Sequence, residues 1–233
     1  MAGKLIRHEL AELTREELKG ISTPEPTPTW TPIPHFDLIE ALDGQLKARG
    51  IAITNEEYCV QGARLFGILD TDYQATDEGG AAIGIRTSND RSLSLQLAIG
   101  FRVLVCMNMA FHGDLIALRR KHTGNLDLHT EFATGIGRYV NGYAKLQENI
   151  DWWKQRPVKK ERGKQLIYDI FTQKIVPVRL FHPIVAMWED AFRQEDDTMW
   201  RLQNCFTAHI KTLKPAPAFT ATLKLSRFFE KVG

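Results

Sequence analysis

Single arginines interrupt an apolar strand pattern at Arg86 and Arg102, and the same stretch closes on Arg119, Arg120, Lys121 and His122. A guanidinium buried without a partner is costly, so Arg86 and Arg102 are expected to face water, a carboxylate or a polyanion. Planar guanidinium forks beside an ammonium, an imidazole and the Thr123 hydroxyl suit phosphate oxygens. A second basic stretch, KQRPVKKERGK, brings Lys159, Lys160, Arg162 and Lys164 around Pro157 with Glu161 as its one acid. Trp152 and Trp153 directly precede it, and Tyr139 and Tyr143 share a helical face upstream. Rings beside cations stack unpaired bases whatever their sequence. The competing reading makes the tryptophans packing groups and the lysines a solvated face, and the helical spacing of the rings favours packing.

Other chemistries are weaker. His122 and His129 are two helical turns apart, about 10 Å, too far for one ion unless Gly124 breaks the helix and gathers Asp127 and Glu131. A metal-dependent nuclease on these residues, or on Asp70, Asp72, Asp77 and Glu78, is therefore a secondary reading. Paired acids near strand ends usually form turns. Cys106 with His112 offers little for nucleophilic catalysis, and no G-x-S-x-G elbow, P-loop or G-x-G-x-x-G is present. No cofactor is expected. Cys59, Cys106 and Cys205 are widely spaced and odd in number, which points to buried thiols.

The elements that must position these groups follow from periodicity. Residues 4–19 read as a short amphipathic helical stretch, with Thr14 and Glu17 as a capping box and Gly20 as a stop. Ser22 to Pro34 holds five of the ten prolines. It is expected to be extended, as a linker or a tail lying over the domain, the alternative being an arm anchored on a neighbouring subunit by Trp30. The reading divides residues 1–35, an arm and linker, from a single domain over 36–233. A helix is expected from about Phe36 to Arg49. Period-two segments then run through IAITNEEYCV, ARLFGILDTDY, AAIGIRTSN and SLSLQLAIGFRVLVCMN, with turns at Asp77–Gly80 and Asn89–Arg91. From about Asp114 the pattern turns helical, continuing to Pro157. More helices are expected at 161–174, 183–193 and 196–212, and a final segment as helix or strand. The fold class is α+β, an antiparallel sheet of hairpins followed by packed helices.

Among 233 residues, 43% are hydrophobic and 25% charged, as in ordinary globular proteins, and the net charge is only +2. Acidic residues gather at Asp70–Glu78 and Glu189–Asp197, away from the basic sets, so the surface is polarised rather than globally basic. No apolar run reaches the roughly 20 residues of a membrane span and no signal-peptide core opens the chain, so the cytoplasm is the expected compartment, with no membrane partner.

From about Ile53 to Phe229 the chain resembles the phage- and plasmid-associated family DUF932. The residues that carry the resemblance are Ser88 and Asp90, Arg102-Val103-Val105-Cys106-Asn108, His122-Thr123, and Trp200-Asn204-Phe206-Thr207. Met107 separates Cys106 from Asn108, where the family usually has acidic or other polar residues. The resemblance implies a mobile-element origin. Its hairpins followed by a long helix look like the core of single-strand annealing recombinases, which form rings or filaments on DNA. The resulting expectation is a non-enzymatic homo-oligomer that binds single-stranded nucleic acid. Arg86, Arg102, Arg119, Arg120, Lys121 and His122 would line its inner groove, with Lys159, Lys160, Arg162 and Lys164 outside. A phage accessory that binds a host protein through the Pro-rich arm and EDAFRQEDD is the alternative.

Overall fold

A computed structural model describes residues 12–75, 79–103, 108–124, 126–190 and 196–232. Strands β2 (Ile53–Gln61), β3 (Arg64–Thr71), β4 (Gly79–Ser88), β5 (Leu95–Val103) and β6 (Asn108–Arg120) form an antiparallel meander, with the two-residue β1 (Glu12–Leu13) on the outer edge of β2. From β2 to β6 each strand pairs with its sequence neighbour through a short connection.

The two sheet faces carry different side chains because strand residues alternate. Ile83, Ile85, Leu97 and Ile99 belong to the main core, packed with Ile136 and Tyr139 of the long helix α2 (Leu128–Gln155). The Tyr139 and Thr71 hydroxyls lie 2.8 Å apart, satisfying both groups at the buried contact. On the opposite face Ala82 and Ala98 leave room for Phe219 and Leu223 of the last helix, α6 (Pro215–Val232). The sheet is thus sandwiched between helices. Helix α1 (His35–Lys47) packs beside α2, whereas α3 (Lys160–Thr172), α4 (Phe181–Glu189) and α5 (Met199–Ile210) build an aromatic cluster with α2 and α6. Trp153, Phe171, Phe206 and Phe229 meet there edge to face or tilted.

Within that helical half, Trp188 of α4 is fully buried and donates Nε1–H to the Lys160 carbonyl at 3.0 Å. Its ring lies against the backbone of Gly163, the one residue type that leaves it space. Arg201 of α5 stacks over the same ring, 4.7 Å from its centroid, and donates to the Met187 carbonyl at 2.6 Å. A buried guanidinium therefore satisfies carbonyls in the last turn of α4, where the backbone has no helical donors left.

The α+β order follows the sequence reading, with two corrections. The helix expected from about Asp114 is strand β6 as far as Arg120, and α2 begins only at Leu128. Pairing with β5, Leu97 opposite Leu118 and Ala98 opposite Ile116, overrides the helical spacing of Leu115, Ile116 and Leu118. Of the N-terminal helix, residues 1–11 lie outside the described residues, and Glu12–Leu13 is strand. Only Glu16–Gly20 is helical, as a 3-10 turn. The Thr14–Glu17 box is present, with the Thr14 amide donating to Glu17 Oε2 at 2.7 Å and the Glu17 amide to Thr14 Oγ1 at 3.3 Å. The last segment resolves as helix, in α6.

Arg15 fixes this N-terminal piece to the body. It pairs with Asp43 at 2.6 Å and Glu40 at 2.9 Å from α1, and with Glu56 from β2. Burial works against the Asp43 carboxylate, yet hydrogen bonds from Arg15 and Lys47 hold it below its ordinary range. Arg15→Ala would leave the buried Asp43 with Lys47 as its remaining cation, and is expected to cost about 2–3 kcal/mol in urea unfolding. A loss under about 0.5 kcal/mol would mean that the network is only a surface ion pair.

Candidate nucleic-acid interface

The Pro-rich segment is strapped across one end of the sheet. Thr27 and Trp30 exchange backbone hydrogen bonds at 2.8 and 3.2 Å, closing a tight turn on Pro28 and Thr29. The Thr31 amide donates to the His122 carbonyl at 3.2 Å. Asn89, buried in the β4–β5 turn, clamps Ile33 from both sides: Oδ1 accepts from its amide at 3.1 Å, and Nδ2 donates to its carbonyl at 2.9 Å. Arg91 then stacks on Trp30, 4.8 Å from the ring centroid, and donates to Thr27 Oγ1 at 3.0 Å.

Between strap and sheet end lies an open cleft of about 660 Å³. Trp30 and Arg91 form one wall, and Arg119, Arg120, Lys121, His122 and Thr123 the other. No carboxylate is among its described lining residues, and of the cations gathered there Arg120 is the one paired from outside the cleft, by Glu131. Strand alternation separates the two arginines: Arg119 stands opposite Gln96 and Arg120 opposite Leu95. Arg120 is committed to Glu131 of α2 at 2.7 Å. Arg119 and Lys121 are exposed to the cleft.

Arg86 sits one row over. It faces Gln96 in register, donates Nε–H to Gln96 Oε1 at 2.9 Å, and lies 5.0 Å from the Phe219 ring centroid. Burial, and then the like charge of Arg119, make its protonated form harder to hold. Arg102 belongs to β5, opposite Gly80 and Met109, with its side chain outside the described residues. The second basic set lies elsewhere. Lys159 precedes α3, while Lys160, Arg162 and Lys164 are on its first turns, and none lines the cleft. Lys164 pairs with Glu189 at 2.7 Å and Glu161 at 3.4 Å. Of the four rings singled out from the sequence, Trp153, Tyr139 and Tyr143 are core, and Trp152 is exposed beside Arg156, 5.3 Å from its ring.

His122 turns inward from the cleft wall, its Nε2 2.7 Å from Thr87 Oγ1, so it ties the end of β6 to β4. His129 is exposed on the first turn of α2, where its amide donates to Asp127 at 3.0 Å. Among the described residues no group of three or more His, Cys, Asp or Glu side chains could hold a metal ion. Behind His122 sits His35, buried at the start of α1. Burial lowers both imidazoles, His35 to about 4.

Both rings are neutral in the fold, while the unfolded chain takes up protons below about 6.5. The unfolded state then binds more protons than the native one. Stability is therefore expected to be flat above about pH 6.5 and to fall between there and pH 4, by about 3 kcal/mol from His35 alone. Denaturant melts at several pH values, with His35→Asn flattening that slope, would check the assignment.

The family pattern described as Domain of unknown function (DUF932) matches residues 26–225. The chain belongs to that family. The matched region takes in the strap as well as the sheet and helices. No curated protein and no solved structure matches the chain. Of the residues that carried the resemblance to DUF932, Arg102, Val103 and Asn108 lie where β5 ends and β6 begins, Val105 and Cys106 lie outside the described residues, and the others fall into two places. Ser88, Asp90, His122 and Thr123 shape the sheet end. There Ser88 Oγ accepts from the Leu93 amide at 2.9 Å, and hydrogen bonds from Ser92 outweigh burial to bring Asp90 down to about 2. Trp200, Asn204, Phe206 and Thr207 lie on α5 in the helical half, Phe206 fully buried. Arg91 and the cleft-forming role of Trp30 escaped the sequence reading. Arg91 follows an ordinary turn pair, and nothing in its neighbours announces that a segment some 60 residues earlier will pack on it. Among the described residues no helix is long and apolar enough to cross a membrane.

Proposed function

We propose that the protein binds single-stranded nucleic acid as a non-enzymatic oligomer and promotes strand pairing in a phage or other mobile element. The observation that carries this reading is the cleft with no carboxylate among its described lining residues, in which Arg91, Arg119 and Lys121 gather with Trp30. Phosphates bind the cations and a base stacks on the ring, an arrangement that tolerates sequence and releases counterions. A hairpin meander followed by one long helix is also the order resembled by annealing recombinases, a likeness at the level of fold. Repetition of the cleft around a ring or along a filament would produce a continuous track that leaves base edges available for pairing.

The test is binding of labelled single- and double-stranded DNA across a salt series, with particle mass recorded in each condition. Preference for single strands, a steep fall in affinity with salt, and a multi-subunit particle are the expected results. A small stable particle that binds no DNA at low salt would overturn the reading and direct attention to a host protein.

A further inference from the structure

A second open cleft, of about 670 Å³, lies on the α6 side of the β4–β5 turn. Arg86, Lys174 and Lys224 line it, with Phe171, Pro177 and Ala216 supplying an apolar surface. It shares Leu93 with the first cleft, so the two meet at that residue. The sheet register links them as well. Arg86 of the second cleft and Arg119 of the first flank Gln96 in one cross-strand row, two strand spacings or about 10 Å apart. No carboxylate is among the described lining residues of this cleft either. Lys174 and Lys224 are exposed, while Arg86 is half-buried, desolvated and repelled by Arg119, a cost that an anion between the two arginines would offset.

We propose that this second cleft continues the first and receives a nucleobase and its flanking phosphates from the same single strand. The inference rests on the nucleic-acid reading of the first cleft and extends it past Leu93. The apolar floor takes the base, and Arg86, Lys174 and Lys224 take the backbone charge. A strand running from Trp30 to Lys224 would cross the sheet end along the Arg119–Gln96–Arg86 row.

The experiment measures fluorescence anisotropy of the full chain with oligothymidylates of about 4 and about 12 nucleotides, within the span of known single-strand sites. The short probe fits one cleft and the long one reaches both. Lys174→Glu with Lys224→Glu is expected to weaken the long probe roughly tenfold and leave the short one unchanged. The neutral pair Lys174→Gln and Lys224→Gln should lower the long probe's salt slope by about 1.4, the contribution of two phosphate contacts. Unchanged long-probe affinity and slope in both variants, with Arg119→Glu still abolishing binding, would overturn the second cleft alone. If the unaltered protein binds neither probe, the reading beneath it fails as well. Both lysines are solvent-exposed, so a melt matching the parent's confirms that the variants are folded.

Discussion

Changing Arg91, Arg119 and Lys121 together to Glu is expected to lower affinity for single-stranded DNA by about 100-fold or more near physiological salt. These three cations line the cleft beside Trp30, and no described carboxylate there neutralises them. On the proposed reading each reversal removes a phosphate contact and adds a repulsive one, so the loss exceeds that of truncation to Ala. Arg120→Glu serves as the internal comparison. Its charge is already engaged by Glu131 at 2.7 Å, so a few-fold effect is expected. Reversal of Lys159 and Arg162, on the separate α3 surface, is expected to act weakly through the general field. If the α3 pair dominates and the cleft triple binds as the parent does, the interface lies on the helical half and the cleft assignment is wrong.

Gly163→Ala is expected to be the most damaging small substitution in the helical half. A Cβ at this position would stand 2.3 Å from Trp188 Cε2 and Cζ2, a distance that requires the ring or the helix to move. The ring cannot move cheaply. It is fully buried, anchored through Nε1 to the Lys160 carbonyl, and covered by Arg201, whose donors close the end of α4. Overpacking of this kind, with a buried indole displaced, is expected to cost about 3 kcal/mol or more. For a chain of this size that is a fall in Tm of roughly 6–12 °C. Trp188→Leu in the same background should recover part of the loss, because removal of the ring makes room for the new methyl. Strict additivity of the two changes would show that Gly163 and Trp188 are not coupled.

Much of the architecture was readable because its signals are local. The hairpins of β3–β4 and β4–β5 announce themselves by aliphatic and β-branched runs around turn residues, although Gly79 and Gly80 already belong to β4, and α1, α3, α4 and α5 by an apolar face of matching length. The failure at β6 has the opposite origin. Leu115, Ile116 and Leu118 satisfy a helical spacing, and only the partner strand, through Leu97 opposite Leu118, decides for sheet. The site divides in the same way. The run from Arg119 to His122 is contiguous, so sequence reveals it, although alternation then sends Arg119 and Arg120 to opposite faces and the His122 ring inward to Thr87. Arg91 and Trp30 become neighbours only because Asn89 holds Ile33 across 56 residues of chain, and no local pattern encodes that clamp.

That clamp also sets an order of events in the life of the fold. Strands that pair only with sequence neighbours close small loops and form early. The strap must close a far longer loop, and its backbone tether to the strand end is the Thr31 amide on the His122 carbonyl, reinforced by the Asn89 side chain. It therefore docks late and is the first part to open, well before global unfolding. Native-state hydrogen exchange should find the Thr31 and Ile33 amides less protected than those of β3 and β4. The aromatic wall of the cleft belongs to this least protected unit, so the lifetime of the proposed binding surface is set by a local opening and not by unfolding of the whole domain.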